Sequence, residues 1–242
     1  LENIPLPDNL KAINDHTFEE CLNLKKISLP NSIVEIGDYA FMHSGLTEIT
    51  IPEKVTKIGE FAFYLNTRLN KITIPSGVTE IKDATFGSCW NLKEFTIPEG
   101  VKTIGIAAFE DCTWLAEIKI PSSVTSISRE AFKKCNVLKE VKVPAGVKTI
   151  ESDTFYGCIH LVTVELPASI TTISKAFDGC ESLTALKCLA TNPPALTLPE
   201  MESGTYEFNL PNLKIYVPEG SVEAYSNADV WKNYADIIFP IQ

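Results

Sequence analysis

The sequence predicts a solenoid: short parallel strands stacked along one face, extended pieces and single helical turns on the other, closed by an atypical C-terminal cap. Two observations carry this. A proline recurs at Pro7, Pro30, Pro52, Pro75, Pro98, Pro121, Pro144 and Pro167, in steps of 22 or 23 residues. A phenylalanine follows in register at Phe18, Phe41, Phe63, Phe86, Phe109, Phe132, Phe155 and Phe177, each preceded by Ala or Thr. Units this small cannot bury an apolar side alone, and stacking joins those sides into one core.

The elements follow from one copy, Leu92-Lys-Glu-Phe95-Thr-Ile97-Pro98, then Val101, Ile104-Gly105, Ala108-Phe109 and Cys112. Phe95 and Ile97 alternate around a polar residue, the period of a strand with one face inward. Pro98 closes that strand, having no N–H for the ladder. Val101 and Ile104 form a second extended piece on the opposite side of the coil, and Gly105, or Asn14, Ser128 or Ser174 elsewhere, marks a bend. Around Ala131, Phe132 and Cys135 the spacing becomes i, i+3 and i, i+4, which predicts a single helical turn. The second and eighth units each lack one residue (Phe41 to Leu46, Ile173 to Phe177), which is expected to tighten a convex corner without moving the strands.

The pattern LxxIxIP…VTxIGxxAFxxC resembles the leucine-rich repeats of the BspA-like type, found in surface proteins of Bacteroides-like bacteria, some spirochaetes and mucosal protozoa. The resemblance covers residues 1–188. It implies a leucine-rich-repeat solenoid, display at the cell surface or secretion, and adhesion to host matrix proteins or to other bacteria. Residues 189–242 read as a degenerate last repeat and a C-terminal cap. Leu213-Lys-Ile215-Tyr-Val217-Pro218 is expected to be a final strand, Ser221 a helix N-cap, and Trp231 and Tyr234 one helical face. The closing segment also resembles that of Bacteroides-type relatives. Thr191 to Asn209 lacks period and is expected to be mobile. Leu1 to Pro7 already reads as the strand of a unit, so a signal segment, a spacer with a lipid anchor, or further repeats are expected upstream.

Composition narrows function only coarsely. The 242 residues carry 21 Lys+Arg against 31 Asp+Glu, a net charge of −10, with 45% hydrophobic residues. An acidic chain has no electrostatic reason to bind phosphate backbones, so no nucleic-acid partner is expected. No apolar run approaches the roughly 20 residues of a membrane span. Six of the seven cysteines, at 21, 89, 112, 135, 158 and 180, lie three residues after the unit phenylalanine, where other copies have Ser44 and Asn66. They read as buried free thiols, with pairing between stacked copies left open; Cys188 reads as an inward strand position. Neither ligand spacing nor a nucleophile–His set emerges around His16, His43 or His160, so no metal, cofactor or catalytic residue is assigned.

The outward strand positions carry the candidate binding face: Lys26, Glu48, Lys71, Glu94, Glu117 and Glu140 in one row, Lys119 and Lys142 in the next. Two readings of it stand. One is a solvated face in which Glu94, Glu117 and Glu140 are compensated by Lys119 and Lys142, flanked by Lys93 and Lys139. The other is a polar face that holds a protein partner, a host extracellular-matrix or bacterial surface protein, with the chain acting as a monomer. These two rows contain no aromatic anchor of the kind that dominates hot spots. Trp90, Trp114, Tyr64 and Tyr156 are expected to cover one edge. A passive spacer in a larger surface protein is the alternative function; an enzyme is the least supported.

Overall fold

The computed structural model describes residues 4–197, 208 and 210–241. Among these, two series of short strands run the length of the molecule. One series comprises Glu48–Thr50, Lys71–Thr73, Glu94–Thr96, Glu117–Lys119, Glu140–Lys142, Thr163–Leu166, Ala185–Cys188, Lys214–Val217 and Ile238–Pro240. The other begins at Ala12–Ile13 and continues through Thr103–Ile104 to Thr172–Ser174 and Ala195–Thr197. Every pairing is parallel and joins equivalent unit positions, as in Phe95 with Ile118 and Ile104 with Ile127. The chain is a right-through stack of coils, the predicted solenoid.

The core is one cluster running through all coils. Its spine is the unit phenylalanine: eight rings from Phe18 to Phe177 stack with centroids 5.1 to 5.7 Å apart and planes within 20°. Leu92, Phe95, Ile97, Val101 and Ile104 close around Phe109 and Phe86 from the other sides. The proline does more than end the strand. Its carbonyl accepts the N–H of the residue three positions on, as in Val101 to Pro98 at 3.0 Å, and this turn delivers the inward valine.

The expected helical turn is not a helix. In the Phe109 unit, Glu110 and Cys112 donate N–H to the carbonyls three residues back, Ala107 and Phe109. The alternate donors Ala107, Phe109 and Asp111 reach the next coil instead, to Arg129, Ala131 and Lys133 at 2.8 to 3.2 Å. An α-helix points every N–H back along its own axis; here half must serve the neighbouring coil. Residues with left-handed φ on both sides of the phenylalanine turn those peptides over, such as Ala107 (φ 53°) and Asp111 (φ 56°). Most are not glycine, so each coil accepts roughly 1 kcal/mol of strain per such residue, offset by the bonds between coils.

Missing residues are absorbed at corners, as expected, and the strand registers around both short units are kept. In the second unit the corner closes so far that a Cβ on Gly45 would lie 2.1 Å from the Leu22 carbonyl oxygen. A second rule links neighbours. The carboxylates of Asp15, Asp38 and Asp83 accept backbone N–H groups of Asp38, Glu60 and Ile106 in the next coil. Each is answered there by glycine, Gly37, Gly59 and Gly105, where a Cβ would fall 2.3 to 2.5 Å from the Asp oxygen or, at Gly59, from the backbone beside it.

Both ends differ from expectation. Residues 1–3 lie outside the described part, and Ile4 to Pro7 and Lys25 to Ser28 form no ladder strands, although Leu24 and Ile27 stay buried. Of the segment expected to be mobile, 198–207 and 209 lie outside the described residues, while Ala195–Thr197 pairs with Thr172–Ser174 as a regular strand. The tail supplies the strand Lys214–Val217, as expected, and a further strand, Ile238–Pro240. Ser221 precedes the helix Val222–Asn227 but makes no side-chain cap; it is buried. Trp231 and Tyr234 lie on a 3₁₀ helix, Trp231–Ile237. The Trp231 indole donates to the Pro194 carbonyl (2.7 Å) and the Tyr225 hydroxyl to that of Ala190 (2.9 Å), pinning the tail over the last coil.

Phe109→Ala is expected to cost about 3–5 kcal/mol in denaturant unfolding, because it opens a cavity between two rings of the spine. A loss below about 1 kcal/mol would contradict its place in the stack. Deleting residues 213–242 uncovers Cys188 and Ala190, and light scattering should show aggregates in place of a monodisperse shorter solenoid.

Candidate binding face

All eight predicted face residues are exposed: Lys26, Glu48, Lys71, Glu94, Glu117, Lys119, Glu140 and Lys142. The parallel registers place Glu48 beside Lys71, Glu94 beside Glu117, and Lys142 beside Glu165. Side-chain pairing along these rows is uneven. Lys26 bonds Glu48, and this contact first, with Lys71 adding to it, lowers the Glu48 pKa below 4.5. Lys142 binds Glu165 at 2.7 Å. Lys142 is therefore engaged outside the Glu row, and among the described residues Glu94, Glu117 and Glu140 take part in no ion pair.

The edge aromatics split. Tyr64 packs as expected, its ring edge-on to Phe61 (5.4 Å) and over Gly87. Trp90 and Trp114 do not: they are 48% and 56% exposed, and Tyr156 is 39% exposed. Cys89, Leu92, Cys112 and Leu115 hold the inward positions of those corners, which leaves the indoles facing solvent. The backbones of the two tryptophans touch, Trp114 N–H to Trp90 O at 3.2 Å.

Sequence reasoning missed an aromatic pair on the strand face itself. The tail strands continue the outward row from Lys187 to Tyr216 and Phe239. Their rings lie 6.2 Å apart, and the Lys214 ammonium sits 5.7 Å from the Phe239 ring. Tyr216 was legible, since it alternates with inward Ile215 and Val217; the short Ile238–Pro240 strand carries no unit pattern.

The cysteines are unpaired, Cys21 half-buried and the others buried. Five sulfurs donate to the phenylalanine carbonyl of the preceding coil: Cys89 to Phe63, Cys112 to Phe86, Cys135 to Phe109, Cys158 to Phe132 and Cys180 to Phe155, at 3.1 to 3.3 Å. Asn66 does the same work with its amide, reaching Phe41 and Phe63 carbonyls at 2.7 and 2.9 Å. The slot therefore asks for a small donor, not only a small apolar group. Burial pushes the Cys89 and Cys180 thiols from 9.0 up to about 12, and those of Cys112, Cys135 and Cys158 well above 9.0. Cys188 is raised by burial too, against a bond from Tyr225.

Among the described residues no three His, Cys, Asp or Glu side chains converge as a metal requires. His16 pairs with Glu19 (2.7 Å) and stacks on Tyr39. On the convex side Lys133 bridges Glu110 and Glu130 at 3.1 and 2.8 Å. Among the described residues no helix is long and apolar enough to cross a membrane.

The sequence profile of the BspA-type leucine-rich repeat region matches residues 1–116 and 103–197, in six copies. The chain belongs to the BspA-type leucine-rich repeat family. The structure superposes on a crystal structure of a leucine-rich repeat protein from Bacteroides ovatus with a TM-score of 0.67 at 22% identity, over 100% of this chain and 78% of that one. A leucine-rich cell surface protein from Faecalibacterium prausnitzii gives 0.54 at 29% identity, over 78% of this chain and 60% of that one. No curated protein matches the chain. This BspA-type repeat shares the solenoid of bacterial leucine-rich repeat proteins, a family of surface proteins consistent with interaction scaffolds, and no enzyme family is indicated.

Raised thiol pKa values set the sign of a pH effect. Below 9.0 the thiols are neutral folded and unfolded; above it the unfolded chain ionises while the native row stays protonated, so stability is lost as pH rises from 9 towards 12. Denaturation midpoints should be insensitive to these thiols below pH 8.5 and fall steeply above 9. At pH 8, Ellman's reagent should titrate the half-buried Cys21 alone in the native protein. Cys112→Ala removes one of the two donors to the Phe86 carbonyl, which keeps the Cys89 N–H at 3.2 Å, and should cost about 0.5–1.5 kcal/mol, with Cys112→Ser recovering part of it.

Proposed function

We propose that this chain is a non-catalytic binding scaffold, displayed at the cell surface or secreted, that works as a monomer and holds a protein partner on its strand face. The partner is a host extracellular-matrix protein or another bacterial surface protein, and the outcome is adhesion. The observation that carries this reading is the strand face itself. Parallel strands place exposed, differently charged side chains in straight rows, and the tail adds Tyr216 and Phe239 to the same surface. A rigid array of this kind offers a partner preorganised contacts, so little ordering entropy is lost on binding. Aromatic groups at the end of the row are the type of anchor that dominates interface energetics.

The test is capture of immobilised host matrix proteins by the intact chain. Reversing Glu94, Glu117 and Glu140 to Lys should reduce capture at least about tenfold, with the melting temperature nearly unchanged because exposed charges contribute only about 0–1 kcal/mol each. Undiminished capture, or none by the parent chain, would favour the passive spacer.

A further inference from the structure

The C-terminal end of the strand face carries a charge opposite to that of the chain. Along one outward row the registers set Lys142, Glu165, Lys187, Tyr216 and Phe239 side by side in successive coils. Lys214 lies two residues before Tyr216 on the same strand, and so on the same face. The single carboxylate of this row is claimed from its far side, since Glu165 bonds Lys142 at 2.7 Å. Among the described residues neither Lys187 nor Lys214 makes an ion pair. Glu219 and Asp236, the exposed acids that flank the tail strands in sequence, pair with neither lysine. Two ammonium groups without carboxylate partners thus stand together in a chain of net charge −10.

These two ammonium groups border an exposed aromatic pair. The Tyr216 and Phe239 rings lie 6.2 Å apart with planes at 40°, and Phe239 is 37% exposed. Lys214 sits 5.7 Å from the Phe239 ring, and Lys187 is the register neighbour of Tyr216. Rings at this tilt form a notch for an apolar side chain, not the level platform on which a sugar ring lies flat. The backbone beside them narrows the mode of docking. Ile238–Pro240 is the outer strand of its sheet, yet its free side offers no N–H. Ile238 gives its N–H to the Ala235 carbonyl, Ile241 turns its own back to Val217 at 2.8 Å, and Pro240 has none. A partner strand needs donors as well as acceptors to extend a ladder, so a partner meets this end through side chains.

We propose that the protein partner is anchored here through an acidic segment, an apolar side chain of which fills the Tyr216–Phe239 notch while the neighbouring carboxylates take the Lys187 and Lys214 ammonium groups. This rests on the strand face being the binding face, and it names what the tail end of that face recognises. Charged hydrogen bonds framing an aromatic contact combine orientation with desolvated area.

Three labelled ten-residue peptides added to the intact chain and followed by fluorescence anisotropy test it: glutamate alternating with phenylalanine, glutamate with alanine, and lysine with phenylalanine. The first should bind, with affinity falling as salt rises; the second should bind about tenfold more weakly and the third not at all. Lys187→Gln/Lys214→Gln and Tyr216→Thr/Phe239→Thr should each weaken the first peptide at least about tenfold, with melting temperatures nearly unchanged. Lys142→Gln touches no proposed contact but releases Glu165 toward Lys187, and should weaken binding about threefold; Lys142→Gln/Glu165→Gln should restore it. Lys57→Gln, on the other strand series, should change nothing. Equal affinity for the parent and both double variants of the patch would overturn the proposal. So would tighter binding of a sulfated oligosaccharide than of the acidic peptide, or a dimer in sedimentation that Lys187→Gln/Lys214→Gln dissolves, which would assign the patch to a second copy. Loss of matrix capture on reversal of the glutamate row, together with no binding of the acidic peptide, would retain the strand face as the binding face and refute the acidic anchor alone. Peptide binding lost in the patch variants, with no matrix capture by the parent, would support the anchor and refute the matrix partner.

Discussion

Each coil is held to the next by backbone hydrogen bonds made between equivalent unit positions, and the rest of the molecule depends on that constraint. Phe109 N–H meets the Ala131 carbonyl and Phe132 N–H the Thr154 carbonyl, each one unit further along. A slip of one residue would break the ladder and turn every inward side chain outward. The constraint explains why corners, not strands, absorb the missing residues of the second and eighth units. It also explains the left-handed residues around each phenylalanine, which turn alternate peptides toward the neighbouring coil.

Because the ladder joins like with like, every unit position becomes a straight row, and the rows acquire collective properties. Phenylalanine becomes a continuous ring stack. The position three residues later becomes a column of donors, each closing a carbonyl of the coil before it, with sulfur or with the amide of Asn66. At the corner, an aspartate in one coil excludes a side chain in the next and is met by glycine. On the strand face the same arithmetic aligns Glu94, Glu117 and Glu140, so that charge which would be dispersed in an irregular fold is concentrated in a line.

Much of this was legible from spacing alone. The proline and phenylalanine registers located the outward positions of the repeats, and all eight candidate residues are exposed. The helical turn was misjudged because i, i+3 and i, i+4 spacing places Ala131, Phe132 and Cys135 on one side of a helix and of two linked turns alike. The ion pairs were not legible: whether Lys142 reaches Glu140 or Glu165 depends on rotamers across coils, not on row membership. The exposure of Trp90 and Trp114 was hidden for a similar reason, since which corner residues turn inward is decided by the packing of Cys89, Leu92, Cys112 and Leu115 beneath them.

The sequence by itself determined the solenoid, its register, its inward rows and the membership of its outward rows, because a repeated unit can bury its apolar residues only by stacking on its own copies. Tertiary structure alone decided which charges on those rows neutralise one another, which aromatics remain in solvent, and that the tail returns a second strand, Ile238–Pro240, to the same face. Those outcomes depend on contacts between residues of different coils, and on a C-terminal segment whose residues no longer repeat.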